Sequence, residues 1–101
     1  MVRPTQPAPR SPDAVFKALG HPARLTLVRT LQCGEHCVCD LVEVVGSGWS
    51  TTSKHLEVLR NAGVVDSDKR GQQVFYRLKL ACVGEFIACL DAAGGDPVGN
   101  G

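Results

Sequence analysis

The sequence lacks any long apolar run: no stretch approaches the ~18 uninterrupted apolar residues that a membrane-spanning helix requires. It also lacks an excess of charge of either sign, with eleven Lys and Arg against ten Asp and Glu and a formal net charge of +1. Overall charge therefore announces neither a nucleic-acid nor a membrane partner, and any basic surface has to be local. Met1 to Ser11 contains no apolar segment of the kind a secretory leader needs. No internal repeat is visible, and the three histidines, His21, His36 and His55, show no spacing of a dedicated histidine metal site. These absences lead to the expectation of a soluble cytoplasmic protein with no membrane partner.

At 101 residues, 44% of them hydrophobic and 21% charged, the chain has material for one domain with a modest core. Residues 1–10 (MVRPTQPAPR) and residues 94–101 (GGDPVGNG) have little to bury. They are expected to be a disordered N-terminal tail and a flexible C-terminal tail around a folded domain at 11–93.

Within that domain the punctuation is helical at first. Ser11-Pro12-Asp13 reads as an N-cap, a first-turn proline and an acid at the positive end of a helix dipole, with Val15, Phe16 and Leu19 at helical spacing and Gly20 as the stop. His21-Pro22 starts a second helix with Leu25, Val28 and Leu31 on one side, ended by Gly34. A third covers Val38 to Val45 with Leu41, Val42 and Val45 inward, and after Gly46-Ser47-Gly48 a fourth runs from Trp49 to Ala62. Two short helices joined by a glycine-containing turn form a helix-turn-helix, whose second member can enter a DNA major groove.

The period then changes. Val64-Val65 and Val74 to Leu78 read as strands, with Asp68 to Gln72 as a polar hairpin tip. A last helix from Leu80 to Ala93 carries an apolar stripe of Leu80, Val83, Phe86, Ile87 and Leu90. This order predicts a mainly α winged helix-turn-helix with a β-hairpin wing.

On the fourth helix Thr52, Leu56 and Leu59 fall on one face and Ser50, Lys54, Glu57 and Asn61 opposite, flanked by Ser53 and Arg60. Ser50, Thr51, Ser53 and Lys54 lie in the half that usually enters the groove, where such side chains can reach base edges and phosphates. Glu57 would repel phosphate, so the C-terminal half should lie less deep. Lys69 and Arg70 at the hairpin tip and Arg77 on the return strand can meet a neighbouring minor groove or its phosphates. Taken singly these are ordinary solvated charges; the element order makes them a candidate surface for double-stranded DNA. His55, beside the buried face, suits a half-buried role better than a base contact.

Three of the five cysteines, Cys33, Cys37 and Cys39, fall within seven residues. The apolar run of the third helix starts at Val38, so Cys37 takes the N-cap position where Ser or Thr is expected, and Asp40 is the acid of the matching capping box. Cysteine is a poor cap, and a broken local rule points to function. Residues two apart on a regular helix point about 200° away from each other. With non-helical dihedrals at Cys37, however, its sulfur can swing toward that of Cys39, and the first-turn N–H groups favour both as thiolates. Paired thiolates select soft ions such as As(III), Sb(III), Cd(II) or Zn(II). Cys33 is a candidate third ligand. Cys82 and Cys89, two turns apart and roughly 10 Å along the last helix, cannot share one ion from the same helix.

Several motifs resemble those of the ArsR/SmtB family of metalloregulatory repressors. Phe16-Lys17-Ala18-Leu19-Gly20-His21-Pro22-Ala23-Arg24-Leu25 is similar to its opening signature. Ser53-Lys54-His55-Leu56 with Leu59 to Val65 is similar to its recognition helix and exit, and Gly71 to Leu78 to its wing. Glu35 to Leu41 resembles its metal box, in which the arsenic sensors carry Cys-Val-Cys and a further Cys three residues later. Val42 stands in that place here, leaving Cys33, a solvent ligand or a C-terminal cysteine to complete the shell. The cysteines that cadmium-lead sensors add from an N-terminal extension are missing, as is the Asp and His pattern of zinc sensors, so the arsenic-responsive type is the nearest.

The resemblance implies a homodimer, joined by the first and last helices, that represses from an inverted-repeat operator until As(III) or Sb(III) binds; a Cd(II), Pb(II) or Zn(II) sensor is the variant reading. A second reading makes the thiols a redox or persulfide switch, joining Cys33 or Cys37 to a cysteine of the last helix. An enzyme is not expected, because no second domain or glycine-rich phosphate loop accompanies Cys37, Cys39 and His36.

Overall fold

The computed structural model describes residues 11–94. Its elements run α1 (Pro12–Leu19), α2 (Pro22–Gln32), β1 (His36–Cys37), α3 (Val38–Val45), α4 (Trp49–Asn61), β2 (Val65–Arg70), β3 (Gln73–Leu78) and α5 (Ala81–Gly94). The expectations for residues 1–10 and 95–101 lie outside the described residues, while Gly94, expected in the C-terminal tail, closes α5.

The helix starts follow their capping chemistry. Ser11 Oγ accepts from the amide of Ala14 at 3.3 Å ahead of Pro12. His21 does the same for α2, its Nδ1 accepting from the amide of Ala23 at 3.0 Å ahead of Pro22. The turn between α3 and α4 needs glycine at Gly46, which closes α3 in the left-handed region at φ 75° and donates to Val42 O at 2.8 Å.

Leu27, Val28, Leu31, Leu41, Leu56, Leu59, Val64, Val65, Val83 and Ile87 form the core, with Ala18, Leu19 and Ala62 at its edge. Thr52, Leu56 and Leu59 are the buried residues of α4, as its periodicity predicts. Thr52 Oγ1 finds no hydrogen-bond partner there. A buried hydroxyl left unpaired costs about 1–3 kcal/mol, so Thr52→Val is expected to raise the thermal midpoint, which a calorimetric scan measures; an unchanged or lower midpoint would mean the hydroxyl is satisfied in solution.

Two clamps dock α5 onto α2. Arg29 grips Asp91 in a two-pronged pair at 2.7 and 3.0 Å, which holds the Asp91 carboxyl below its ordinary range. Gln32 Nε2 donates to Gly84 O at 2.9 Å. A side chain would crowd that crossing, because a Cβ on Gly84 would stand 2.9 Å from the Gln32 side chain and 3.0 Å from the Leu78 side chain, and both would have to shift.

Parts of the two terminal stripes are left uncovered. Phe16 on α1 and Phe86 and Leu90 on α5 are 58%, 43% and 54% exposed. Phe16 and Phe86 meet edge to face at 5.9 Å. Helical spacing identifies an apolar face but not what covers it, and this single core is filled by Val83 and Ile87 before the face of α5 is used up.

The sheet is three-stranded and antiparallel in the order β1-β3-β2. The strands of the wing are longer than the sequence suggests. β2 continues through Lys69 and Arg70, which were expected at the tip, and the turn is Gly71-Gln72 with Gly71 at φ 64°. Cross-strand pairing carries Asp68-Lys69-Arg70 into a strand despite a composition that favours turns. β1, not foreseen, pairs His36 with Tyr76 and Cys37 with Phe75.

Candidate nucleic-acid interface and thiol site

α4 packs on α1, α2 and α3 and turns its polar side outward. Ser50, Thr51, Ser53, Lys54, Glu57 and Arg60 are exposed. Trp49, which the sequence reading passed over, stands 56% exposed at the first position of the helix. Spacing alone would have placed it beside Leu56 on the inner face, and it is exposed because it stands in the first turn, directly after Gly48.

His55 is turned away from this surface. It is half-buried, its Nδ1 lies 3.3 Å from Arg24 Nη1, and its ring centre is 4.5 Å from that of His21. Arg24 also donates from Nε to Ala18 O at 2.6 Å, so one guanidinium ties the end of α1 to α4. Burial, then His21, then Arg24 disfavour the imidazolium, and the His55 pKa falls below its ordinary 6.5. The unfolded chain therefore binds the proton more readily, and folding stability is lost as pH falls from about 6.5 toward the folded value. Wild-type protein is expected to lose thermal midpoint between pH 7.5 and 5.5 faster than His55→Gln. Parallel pH profiles of the two proteins would contradict this.

The wing cations do not act as one group. Antiparallel pairing places Arg70 and Arg77 on one face of the hairpin and Lys69 on the other. Arg70 and Arg77 are engaged by carboxylates of Glu35, Asp66 and Asp68, a pairing that the sequence pattern does not reveal because Glu35 is distant in the chain.

Cys37 caps α3 with extended dihedrals, φ −78° and ψ 159°, and makes no side-chain cap bond. That backbone turn brings its sulfur to the sulfur of Cys39 with Cα atoms 5.4 Å apart, and the two are joined as a disulfide. Asp40 completes a cluster in which the candidate ligand atoms lie within 4.8 Å of one another. Cys37 is buried at 7% exposure, with Asp40 on the solvent side. His36 Nδ1 approaches Asp40 Oδ2 at 3.5 Å. Cys33 caps the end of α2 and is exposed, free and outside this cluster. Cys82 and Cys89 are also exposed and free, and the crosslink formed within the subunit is Cys37–Cys39 in place of the one from Cys33 or Cys37 to the last helix that the redox reading allows. The reason is proximity, since an N-cap and the second residue of its helix meet without any movement of α5.

The donor set suits a soft ion once the disulfide is reduced: two sulfurs and a carboxylate at a helix start whose N–H groups favour negative charge. The site also touches both the wing and the helix that packs beneath α4. Cys37 is a residue of β1, hydrogen-bonded to wing strand β3, and the cap of α3, which supports α4.

Residues 21–67 match the family described as "Bacterial regulatory protein, arsR family". The chain is 41% identical over 76 residues to the biofilm growth-associated repressor of Xylella fastidiosa, covering 75% of this chain and 67% of that one. It is 41% identical over 70 residues to the cadmium resistance transcriptional regulatory protein CadC of Listeria innocua, covering 68% and 59%. Among solved structures it is similar to the homodimeric winged helix-turn-helix DNA-binding domain Mb0332 from Mycobacterium bovis, with a TM-score of 0.75, 26% identity, and coverage of 83% and 78%.

Proposed function

The chain belongs to the arsR family of bacterial regulatory proteins, and from that premise we propose that it is a repressor whose operator binding is released when As(III) or Sb(III) is captured by Cys37 and Cys39. It is a DNA-binding transcriptional repressor of the winged helix-turn-helix type, not an enzyme. Among the described residues no helix is long and apolar enough to cross a membrane. A cytoplasmic site of action follows from the reading as a DNA-bound repressor.

The observation that carries the metalloid reading is the Cys37 cap, with its extended backbone and its sulfur against that of Cys39. Each thiol that joins arsenous acid forms one As–S bond and releases one water, so capture needs the reduced pair and no electron transfer. Asp40 or solvent, rather than Cys33, supplies the third donor. Strain at the first turn of α3 and at β1 would then reach α4 and the wing. Arsenic-edge X-ray absorption on reduced, arsenite-loaded protein tests this: two sulfurs and an oxygen per arsenic are expected, and an all-oxygen shell would end the reading.

The operator contacts in this reading are Ser50, Thr51, Ser53 and Lys54 in the groove, with Arg60, Lys69, Arg70 and Arg77 on phosphates and His55 behind them as a support. The exposed apolar side chains Phe16, Phe86 and Leu90 beside an apolar groove of about 390 Å³ between α1 and α5 support a homodimer joined through those helices. Its twofold axis suits an inverted-repeat operator.

The Cys37–Cys39 disulfide favours a second reading, in which peroxide or polysulfide is the signal. Two thiols and one peroxide give the disulfide and two waters, and the same helix start is altered. Both readings place the switch on the same two sulfurs.

A further inference from the structure

The carboxylates that surround Arg70 and Arg77 on the wing have no role in operator binding so far. Asp66, Asp68 and Arg70 alternate along β2, and the register sets Asp66 opposite Arg77 and Asp68 opposite Phe75, so these side chains share one face of the hairpin. β1 extends that face, because Cys37 pairs with Phe75. Two residues earlier along the same antiparallel register, Glu35 comes opposite Arg77.

The side chains complete the cluster. Glu35 Oε2 accepts from Arg70 Nη2 at 2.7 Å and lies 3.8 Å from Arg77 Nη1. Asp68 takes Arg70 Nε at 3.0 Å, Asp66 takes Arg77 Nη2 at 3.1 Å, and the Arg70 guanidinium lies over the Phe75 ring at 4.6 Å. Asp66 and Asp68 belong to the hairpin and move with it. Glu35 comes from the loop between α2 and β1, and it reaches both arginines.

We propose that Glu35 is an internal competitor of operator phosphate, holding Arg70 and Arg77 in the DNA-free protein and giving them up when the wing docks. The inference rests on the reading of those two arginines as phosphate contacts. A guanidinium binds carboxylate and phosphate through the same planar fork, so a donor turned to Glu35 is not available to the DNA. The pairs are solvent-exposed, with 31% to 48% of the side-chain surface open. Such pairs are weak and screened by salt. Glu35 therefore biases the wing and does not lock it: it lowers operator affinity without preventing docking. It also stands two residues from Cys37, between the thiol pair and the wing.

The test is fluorescence anisotropy with a duplex from the promoter of the protein's own gene, titrated across salt concentration, for wild type, Glu35→Gln, the Arg70→Gln/Arg77→Gln pair and the triple variant. Glu35→Gln is expected to tighten binding about threefold to tenfold at low salt, summed over the two subunits of a dimer. The arginine pair is expected to weaken binding and flatten the salt slope. In that arginine-free background Glu35→Gln is expected to change affinity by less than about twofold, the signature of action through those partners. Equal tightening in both backgrounds would mean general charge repulsion and would overturn the proposal, as would no tightening in either. Wild-type affinity and slope in the arginine pair would overturn the phosphate reading itself, an outcome distinct from failure of Glu35 alone. Thermal midpoints of all four proteins check that each is folded.

Discussion

Cys37→Ser and Cys39→Ser are expected to hold the operator as wild type does and to keep holding it when arsenite is added. One thiol cannot chelate what two were placed to share, so the coupling between inducer and DNA disappears. For a regulator of ordinary allosteric strength that is a loss of about 5- to 150-fold in the ratio of operator affinities without and with inducer. Damage to the fold is not an alternative explanation. Cys37 makes no cap bond, and serine at an N-cap accepts from the first-turn amides, worth about 0.5–2 kcal/mol, so Cys37→Ser should melt no lower than reduced wild type. Operator titrations with and without arsenite, paired with thermal melts, measure both halves of the expectation. A serine variant that releases DNA normally would remove the thiol pair from the mechanism.

The second large effect is structural. Leu56 is fully buried between Thr52 and Leu59 on the inner face of α4, so Leu56→Ala leaves a cavity where the recognition helix meets the core. Such truncations cost about 2–5 kcal/mol, a large part of the ~5–15 kcal/mol that holds a domain together. Urea denaturation should show the midpoint falling with little change in slope. Lys54→Ala, on the outer face of the same helix, is the contrasting case: stability within about 0.5 kcal/mol of wild type and weaker DNA binding. A stable Leu56→Ala protein would mean that α4 is held from elsewhere.

Much of this architecture was readable in the chain because the relevant rules are local. Ser11-Pro12 and His21-Pro22 mark helix starts by capping and fixed φ, and Thr52, Leu56 and Leu59 declare the buried side of α4 by spacing alone. The approach of Cys37 to Cys39 was legible for the same reason. Cys37 stands where a hydroxyl cap belongs, and its non-helical backbone lets residues two apart bring their sulfurs together.

What was not legible depends on partners distant in sequence. β1 is two residues long and exists only because Phe75 and Tyr76 pair with it. Arg70 looked like a hairpin tip, yet cross-strand pairing keeps it in β2 and Glu35 claims its guanidinium. His55 joins Arg24 and His21 across two helices, a cluster with no spacing of its own. Phe16 and Phe86 belong to an apolar period that reads the same whether a core or a second subunit covers it.

The account turns on whether soft-ion capture at Cys37 and Cys39 releases DNA, and one titration asks this directly. Reduced protein is bound to a labelled duplex from the promoter of its own gene, and anisotropy is followed as arsenite is added, with cadmium, zinc and polysulfide in parallel. The account predicts that anisotropy falls to the free-duplex value as arsenite reaches equivalence with the Cys37–Cys39 pairs. Full retention of DNA at saturating arsenite, with release by polysulfide alone, would contradict it and leave the same winged helix as a reader of thiol oxidation.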